Sequence, residues 1–250
     1  MTTSVSRHAG RLAGLMLVAV LALQLFFVAR IALMAIIDPQ STTFQRSEAW
    51  RLLRERGRIE WSQQWVADDR IAASLKRAVI ASEDAAFNEH AGVDWDAIER
   101  AWERNQRAEA RADRRGNVNG GNPPRSEPRV VGGSTITQQL AKNLLLSGER
   151  TPLRKAQEFV LTFALESMLS KRRILEIYLN NVEWGEGLFG AQAAARHYFH
   201  VDAAQLGAFP AARLAVMLPA PKRFEKRPGS PYVANRAATV VARMAAVELP

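Results

Sequence analysis

Residues 132–143 read GGSTITQQLAKN, with two glycines and two hydroxyl side chains at the start of a helical pattern. We predict a helix that Ser134 caps and that runs to Leu146. The free N–H groups and the dipole at a helix amino terminus favour an anion, which makes this segment a candidate anion cradle. Polar side chains suited to sugar and phosphate oxygens come next: Thr135, Gln138, Gln139, Lys142 and Asn143. An ordinary glycine loop with a hydroxyl cap is the alternative, and the nucleotide-binding pattern GxxxxGK(S/T) is absent.

A carboxylate pair lies upstream, where residues 82–92 read SEDAAFNEHAG at the end of an apolar helical segment. A carboxylate at the edge of a hydrophobic wall has its pKa raised into the range useful for proton transfer. Glu83 and Asp84, with Phe87 and His90 after them, are therefore candidates for a general base and its surroundings. The alternative is an exposed acidic helix terminus.

A basic cluster lies after the glycine segment, where residues 150–158 read RTPLRKAQE. Thr151 and Pro152 predict a helix start, with the threonine as cap. Arg150, Arg154 and Lys155 can neutralise a diphosphate and hold Glu158 ionised, whereas a simple i, i+4 pair is the alternative for Arg154 and Glu158. Residues 171–199, which include Tyr178, are assigned mainly to packing, with the wall of a cleft as the alternative.

The amino-terminal segment predicts a membrane anchor. Residues 12–29 read LAGLMLVAVLALQLFFVA without a charge, Arg30 interrupts, and apolar residues continue to Ile37. This length can cross a hydrocarbon core as a helix. A cleaved signal peptide and a buried core helix are the alternatives, but the apolar run is longer than that of a signal peptide and no A-x-A site ends it. The basic tail, residues 1–11, predicts a cytoplasmic amino terminus and an exported domain.

Composition narrows the chemistry. The chain has 250 residues, no cysteine and a net charge of +9, so disulfides, thiolate nucleophiles and cysteine-ligated zinc are excluded. The positive charge favours a polyanionic partner, either nucleic acid, an anionic membrane or a phosphorylated substrate. His197 and His200 are spaced i, i+3, but no third ligand lies near them in sequence, and we predict no metal site.

Helical patterns dominate the chain after the anchor, and strand signals are scarce, so the predicted fold class is mainly α. We divide the chain into a tail (1–11), an anchor (12–37), a juxtamembrane segment (38–68) and one domain (69–250). Residues 104–129 are rich in Arg, Asn, Gly and Pro, and we predict a flexible basic insertion there.

Four motifs in order resemble the peptidoglycan glycosyltransferases, which are the polymerase domains of class A penicillin-binding proteins and their monofunctional relatives. The motifs are E-D-x-x-F-x-x-H-x-G, G-G-S-T-I-T-Q-Q-L-A-K-N-L, R-K-x-x-E and K-x-x-I-L-E-x-Y-L-N, and the resemblance covers roughly residues 70–225. No transpeptidase domain follows, which indicates the monofunctional group. The resemblance implies a lysozyme-like domain behind one transmembrane helix, with a membrane-embedded lobe and a periplasmic active site at the bacterial inner membrane.

The implied reaction polymerises lipid II into β-1,4-linked glycan and releases undecaprenyl diphosphate. By resemblance, Glu83 is the base that deprotonates the acceptor 4-hydroxyl, and Glu158 assists near the donor diphosphate. Lys142 and Arg150 match the cations that neutralise the leaving group. Further polar cleft positions are Ser134, Thr135, Gln138, Gln139, Asn143, Arg154 and Lys155, and those supporting the base are Asp84, Phe87 and His90. No cofactor is required, although Mg²⁺ or Mn²⁺ at the diphosphate is compatible with this chemistry.

Two positions depart from the family pattern. The insertion at 104–129 is long and falls near the acceptor side, so we expect it to tune acceptor binding or partner contacts. A further family motif, beyond the four quoted, begins with a lysine where this chain has Leu218-Pro219-Ala220-Pro221, which leaves Lys222 as a candidate diphosphate contact.

Competing functions are a lytic lysozyme-like hydrolase and a non-catalytic scaffold for wall-building proteins. The basic cluster and the anchor disfavour the first, and the presence of both glutamates disfavours the second. A nucleic-acid partner is not expected, because no recognition helix or aromatic stacking platform is recognisable. The expected partners are lipid II, the growing glycan chain, the membrane, and divisome or other wall-synthesis proteins.

Overall fold

The computed structural model describes residues 2–118, 133–149 and 151–250, and within these ranges the chain is mainly helical, as predicted. The helices are α1 (Thr2–Leu33), α2 (Thr43–Arg56), α3 (Ala73–Glu83), α4 (Trp95–Val118), α5 (Ile136–Leu145), α6 (Pro152–Met168), α7 (Lys171–Asn181), α8 (Ala191–Phe199), α9 (Ala208–Met217), α10 (Pro221–Phe224) and α11 (Pro231–Met244). Three short strands are β1 (Ser62–Gln63), β2 (Glu183–Gly185) and β3 (Leu188–Phe189).

Helix α1 is long and apolar enough over Gly10–Leu33 to cross a membrane. Its apolar side chains are largely exposed, Leu15 and Leu25 among them, which rules out the alternative of a buried core helix. The helix ends at Leu33, before the boundary at 37 expected from the sequence, and Ile31 and Met34 are buried against the rest of the protein.

The end of α1 is held by α7. The guanidinium of Arg173 donates to the backbone oxygen of Met34 at 2.8 Å and pairs with Asp38 at 2.7 Å. Further along α1, the amides of Gln24 and Gln157 exchange hydrogen bonds of 2.9 and 3.0 Å, so α1 also packs on α6.

The core contains two groups of helices that meet at the site. Helices α3, α9 and α11 pack together through small buried side chains, including Ala78, Ala212 and Ala237, which allow the helix axes to approach closely. Helix α5 packs against α6 and α7. The carboxyl end of α3 and the amino end of α5 are thereby brought together.

A small sheet ties the segment after α2 to the rest of the domain. Strand β3 lies in the middle, parallel to β1 and antiparallel to β2, with Ser62 opposite Leu188. The turn between β2 and β3 requires a glycine at 187, because its φ is +68° and a Cβ there would lie 2.1 Å from the Glu60 oxygen.

The expectation of an irregular insertion at 104–129 is wrong for its first part. Helix α4 continues through these residues to Val118, because Ala, Glu, Gln and Arg are good helix formers even where no apolar core face is present. Residues 119–129 lie outside the described residues.

Candidate active site

Two adjoining cavities contain most of the side chains that the sequence predicted for the site. The first, of about 820 Å³, lies between α5, α6 and the loop joining them. Its lining includes Phe44, Ser134, Gln138, Gln139, Lys142, Asn143, Arg154, Lys155, Glu158 and Glu183. The second, of about 380 Å³, is lined by Glu83, Asp84, Asp94, Arg100, Arg104, Ser134, Thr135 and Arg243, among others. Ser134 lines both cavities, whereas the predicted Arg150 lies outside the described residues.

The start of α5 is fixed by a capping box, in which Thr135 rather than Ser134 is the cap. The Thr135 hydroxyl accepts a hydrogen bond from the Gln138 backbone N–H at 3.2 Å, and the Gln138 side chain accepts one from the Thr135 N–H at 3.1 Å. The pattern T-x-x-Q begins at Thr135 but not at Ser134, which explains the one-residue shift. The Thr135 hydroxyl also donates to the Gly92 oxygen at 2.6 Å.

Glu83 is the last residue of α3 and lies partly buried in the smaller cavity. Its Oε2 accepts a hydrogen bond from Gln139 Nε2 at 3.0 Å. Burial raises the pKa of Glu83 above its ordinary value, and hydrogen bonds from Gln139 and Ser82 oppose that rise. The alternative of an exposed acidic helix end is therefore excluded.

Asp84 joins the end of α3 to the start of α5. It is buried, accepts a hydrogen bond from the Ile136 N–H at 3.0 Å, and lies 2.9 Å from His90 Nε2. Because His90 Nδ1 accepts from the Gly92 N–H, Nε2 carries the proton that is donated to Asp84. Phe87 is fully buried behind this pair, which agrees with a supporting role.

Glu158 lies in the larger cavity with two cations bound to it. The carboxylate is buried, 3.0 Å from Arg154 and 2.5 Å from Lys155 within α6. The i, i+4 pair that was the ordinary alternative is thus present, together with a second cation. The three groups carry a net charge of +1, and Lys142, Glu149 and Glu183 also line this cavity.

Several residues beside these cavities were not predicted for the site, Tyr178 and Glu183 among them. The Tyr178 hydroxyl donates to Gln139 Oε1 at 3.0 Å, although its apolar helical spacing indicated mainly packing. Glu183 lines the larger cavity, and burial raises its pKa to about 7, against the effect of Lys222. A charged residue between Val182 and Trp184 was the one available signal for Glu183.

Lys222, the candidate diphosphate contact, pairs with two carboxylates beside the larger cavity. Its ammonium group binds Glu48 of α2 at 2.5 Å and lies 3.4 Å from Glu183. Lys222 therefore joins α2 to the cavity wall, and its charge is compensated by these carboxylates.

Three cations and three carboxylates line the larger cavity: Lys142, Arg154, Lys155, Glu149, Glu158 and Glu183. Among the described residues, no group of three His, Cys, Asp or Glu side chains could hold a metal ion. Glu158 already binds two cations. The described residues therefore show no preformed metal site, and a divalent ion bound together with the diphosphate stays a prediction.

Comparison with known proteins agrees with this geometry. A family model described as Transglycosylase matches residues 51–245. A protein of Burkholderia orbicola named biosynthetic peptidoglycan transglycosylase is 49% identical over 249 residues, which cover 100% of this chain and 94% of the relative. Proteins of the same name from Burkholderia lata and Burkholderia thailandensis are 50% and 49% identical, over 92% of this chain and 86% and 83% of theirs.

These matches confirm the resemblance seen in the four motifs and the lysozyme-like, mainly α fold that it implied. They also show that the chain is an enzyme of peptidoglycan synthesis. The family match covers most of the chain, including every motif and all the residues that line the two cavities except Phe44. The chain belongs to the transglycosylase family of peptidoglycan glycosyltransferases.

Proposed function

We propose that the chain polymerises lipid II into β-1,4-linked glycan and releases undecaprenyl diphosphate, with Glu83 as the general base. The observation that carries this proposal is the position of Glu83 next to a second cavity that three cations line. Glu83 lies in the smaller cavity with a raised pKa. The larger cavity is lined by Gln139, which donates to Glu83, and by Lys142, Arg154 and Lys155. A proton acceptor next to an anion site is what inverting transfer from a sugar diphosphate requires.

The proposed reaction has one displacement step. The 4-hydroxyl oxygen of the acceptor sugar attacks C1 of the donor, and Glu83 takes the hydroxyl proton. The bond from C1 to the diphosphate oxygen breaks, and its electron pair leaves with the diphosphate. An α-linked donor thereby becomes a β-linked product without a covalent intermediate.

The leaving group needs positive charge rather than a proton. Lys142, Arg154 and Lys155 supply that charge from the described residues, and Glu158 holds the last two in place. A lytic hydrolase instead needs a carboxylic acid that protonates a sugar oxygen, and a cluster of cations gives it no advantage. The cations therefore favour synthesis over cleavage.

We extend the proposal to an enzyme with a single-pass anchor at the inner membrane, a cytoplasmic amino terminus and a periplasmic domain. Helix α6 supports it, because it packs on α1 and exposes Leu153, Val160 and Phe163. The same helix carries Arg154 and Lys155 at the larger cavity. A lipid-linked diphosphate lies at the bilayer surface. There the apolar side chains of such a helix can contact the lipid chain, and its cations can bind the diphosphate.

We also propose that residues 104–129 tune acceptor binding or contacts with other wall-synthesis proteins. Arg104, the first residue of this segment, lines the smaller cavity together with Glu83, and this placement supports the proposal. Deletion of residues 104–129 is expected to change strand length or rate, and unchanged polymerisation would refute it.

The test of the proposed function is polymerisation of purified lipid II in detergent by the full chain. Wild type is expected to make long glycan and Glu83→Gln none. Glu89→Gln, which changes an exposed carboxylate in the same segment, is the matched control and is expected to behave as wild type. A folded wild type that makes no polymer would overturn the reaction, and an active Glu83→Gln variant would overturn the assignment of the base.

A further inference from the structure

We infer that Tyr178 is a positioning residue for Glu83, because it fixes the orientation of the Gln139 amide that donates a hydrogen bond to the base. The inference rests on the proposed role of Glu83. It concerns a residue that the sequence indicated mainly as part of the core.

Three helices contribute to one chain of hydrogen bonds. Tyr178 of α7 donates from its hydroxyl to Gln139 Oε1 at 3.0 Å. Gln139 of α5 donates from Nε2 to Glu83 Oε2 at 3.0 Å. The tyrosine is fully buried, and α5 packs directly on α7, so its ring has a fixed place behind the site.

The hydroxyl decides which way the amide points. A glutamine amide can rotate to exchange its oxygen and nitrogen, and the two orientations differ in which partner receives the N–H group. In the observed orientation, the tyrosine O–H has an acceptor and the ionised Glu83 has a donor. In the rotated one, a buried O–H loses its acceptor and an amide oxygen faces a carboxylate, which is unfavourable on both counts.

Burial keeps the tyrosine a donor. The pKa of Tyr178 is raised well above its ordinary value by burial and by the nearby charges of Glu83 and Asp84. The hydroxyl therefore stays protonated across the range in which Glu83 titrates. Its effect on Glu83 is to favour the ionised form, opposite in sign to the effect of burial.

Other charged groups also face Glu83 and must be the same in the compared proteins. Asp84 follows Glu83 directly, Asp94 precedes α4, Arg100 and Arg104 belong to α4, and Arg243 belongs to α11. All of them line the same cavity as Glu83. Lys142 lies one turn beyond Gln139 on α5 and lines the adjoining cavity. A Tyr178→Phe substitution changes none of these charges, so a shift in titration isolates the hydrogen-bond chain.

The experiment is the pH profile of lipid II polymerisation by the full chain, measured from about pH 4.5, near the ordinary pKa of a glutamate, up to about pH 9. In Tyr178→Phe the acidic limb of kcat is expected to move up by about 0.5–1 pH unit, with a plateau within about twofold of wild type. At a pH below the limb, kcat of Tyr178→Phe is then lower than that of wild type by up to about tenfold. Gln139→Met keeps the side-chain volume but removes the amide, and it is expected to shift the acidic limb in the same direction. This second variant keeps the hydrogen-bond chain testable if Tyr178→Phe does not fold.

Tyr198→Phe is the matched control, because this hydroxyl donates to the Trp184 oxygen at 2.9 Å away from Glu83. It is expected to leave the limb in place. An unmoved limb in Tyr178→Phe, or an equal shift in Tyr198→Phe, would overturn the inference. So would an additional shift when Tyr178→Phe is combined with Gln139→Met, since the tyrosine would then act by another route. An active Glu83→Gln variant would instead overturn the proposed base, and the inference with it.

Discussion

Glu83, which is partly buried, and Glu158, which is buried, lie beside adjoining cavities but differ in the charge of their partners. Glu83 accepts a hydrogen bond from the neutral amide of Gln139. Glu158 binds the cations of Arg154 and Lys155 at 3.0 and 2.5 Å. The first arrangement leaves a group able to take a proton, whereas the second holds cations where an anion can use them. Partners rather than residue type set the proposed role.

Replacing Glu83 is expected to have the largest effect on catalysis. Glu83→Gln should lower kcat by about 10²–10⁴-fold, the usual contribution of a general base, and leave KM nearly unchanged. The thermal midpoint should not fall, because a neutral amide avoids the unfavourable burial of charge. Steady-state kinetics and thermal melts measure both. If only KM changed, Glu83 would be a binding residue, and the proposed difference in role between Glu83 and Glu158 would be wrong.

Replacing Glu158 is expected to act through stability. Glu158→Gln leaves two cations without their carboxylate, and should lower the free energy of unfolding by about 3 kcal/mol. Adding Arg154→Met should restore part of that stability, because it removes one uncompensated charge. Denaturant unfolding of the single and double variants measures this. A stable Glu158→Gln variant that has lost all activity would instead give Glu158 a direct chemical role.

A third carboxylate, Glu183, should make the free energy of unfolding depend on pH. Its pKa is about 7 in the folded protein against an ordinary value of 4.5, so the folded state holds the proton more tightly. The contribution of this group to stability is therefore fully present below pH 4.5 and is lost as the pH rises to about 7, by at most about 3 kcal/mol. Glu183→Gln should lack this component. Parallel pH curves for the two proteins would contradict it.

Lys155→Met is expected to have the smallest effect. The side chain is partly exposed, and Arg154 and Lys142 remain in the cavity. KM for lipid II should rise by about tenfold, while the acidic limb of kcat stays in place because Glu83 keeps its partners. Initial rates at several lipid II concentrations and pH values test this. A shifted limb would show that the two carboxylates are not independent.

Local patterns in the sequence predict the parts of the site that local contacts build. The expected cap at Thr151 with Pro152 after it is present, because both signals lie within one turn. The end of α3 at Glu83 is likewise readable from the apolar spacing before it. The expected cap at Ser134 is one residue too early, since two adjacent hydroxyls are both suitable caps until the glutamine at 138 decides between them.

Long-range contacts are not readable in the same way. Tyr178 has the spacing of a core residue and is one, and its second function depends on Gln139, far away in the sequence. The pKa of Glu183 depends on Lys222 and Glu48, which come from α10 and α2. The length of α4 is underestimated for a different reason, because a polar, arginine-rich composition does not prevent a helix.

The hydrogen bonds of Arg173 to the residues that follow α1 affect how the catalytic domain encounters its substrate. Met34 and Asp38 are fixed to α7, so the segment after the anchor is not a loose tether. With α1 in a bilayer, the catalytic domain and its anchor diffuse as one body at a constant height. For the lipid-linked substrate proposed above, the encounter is then a two-dimensional search, and its rate follows the surface density of that lipid rather than the reach of a mobile domain.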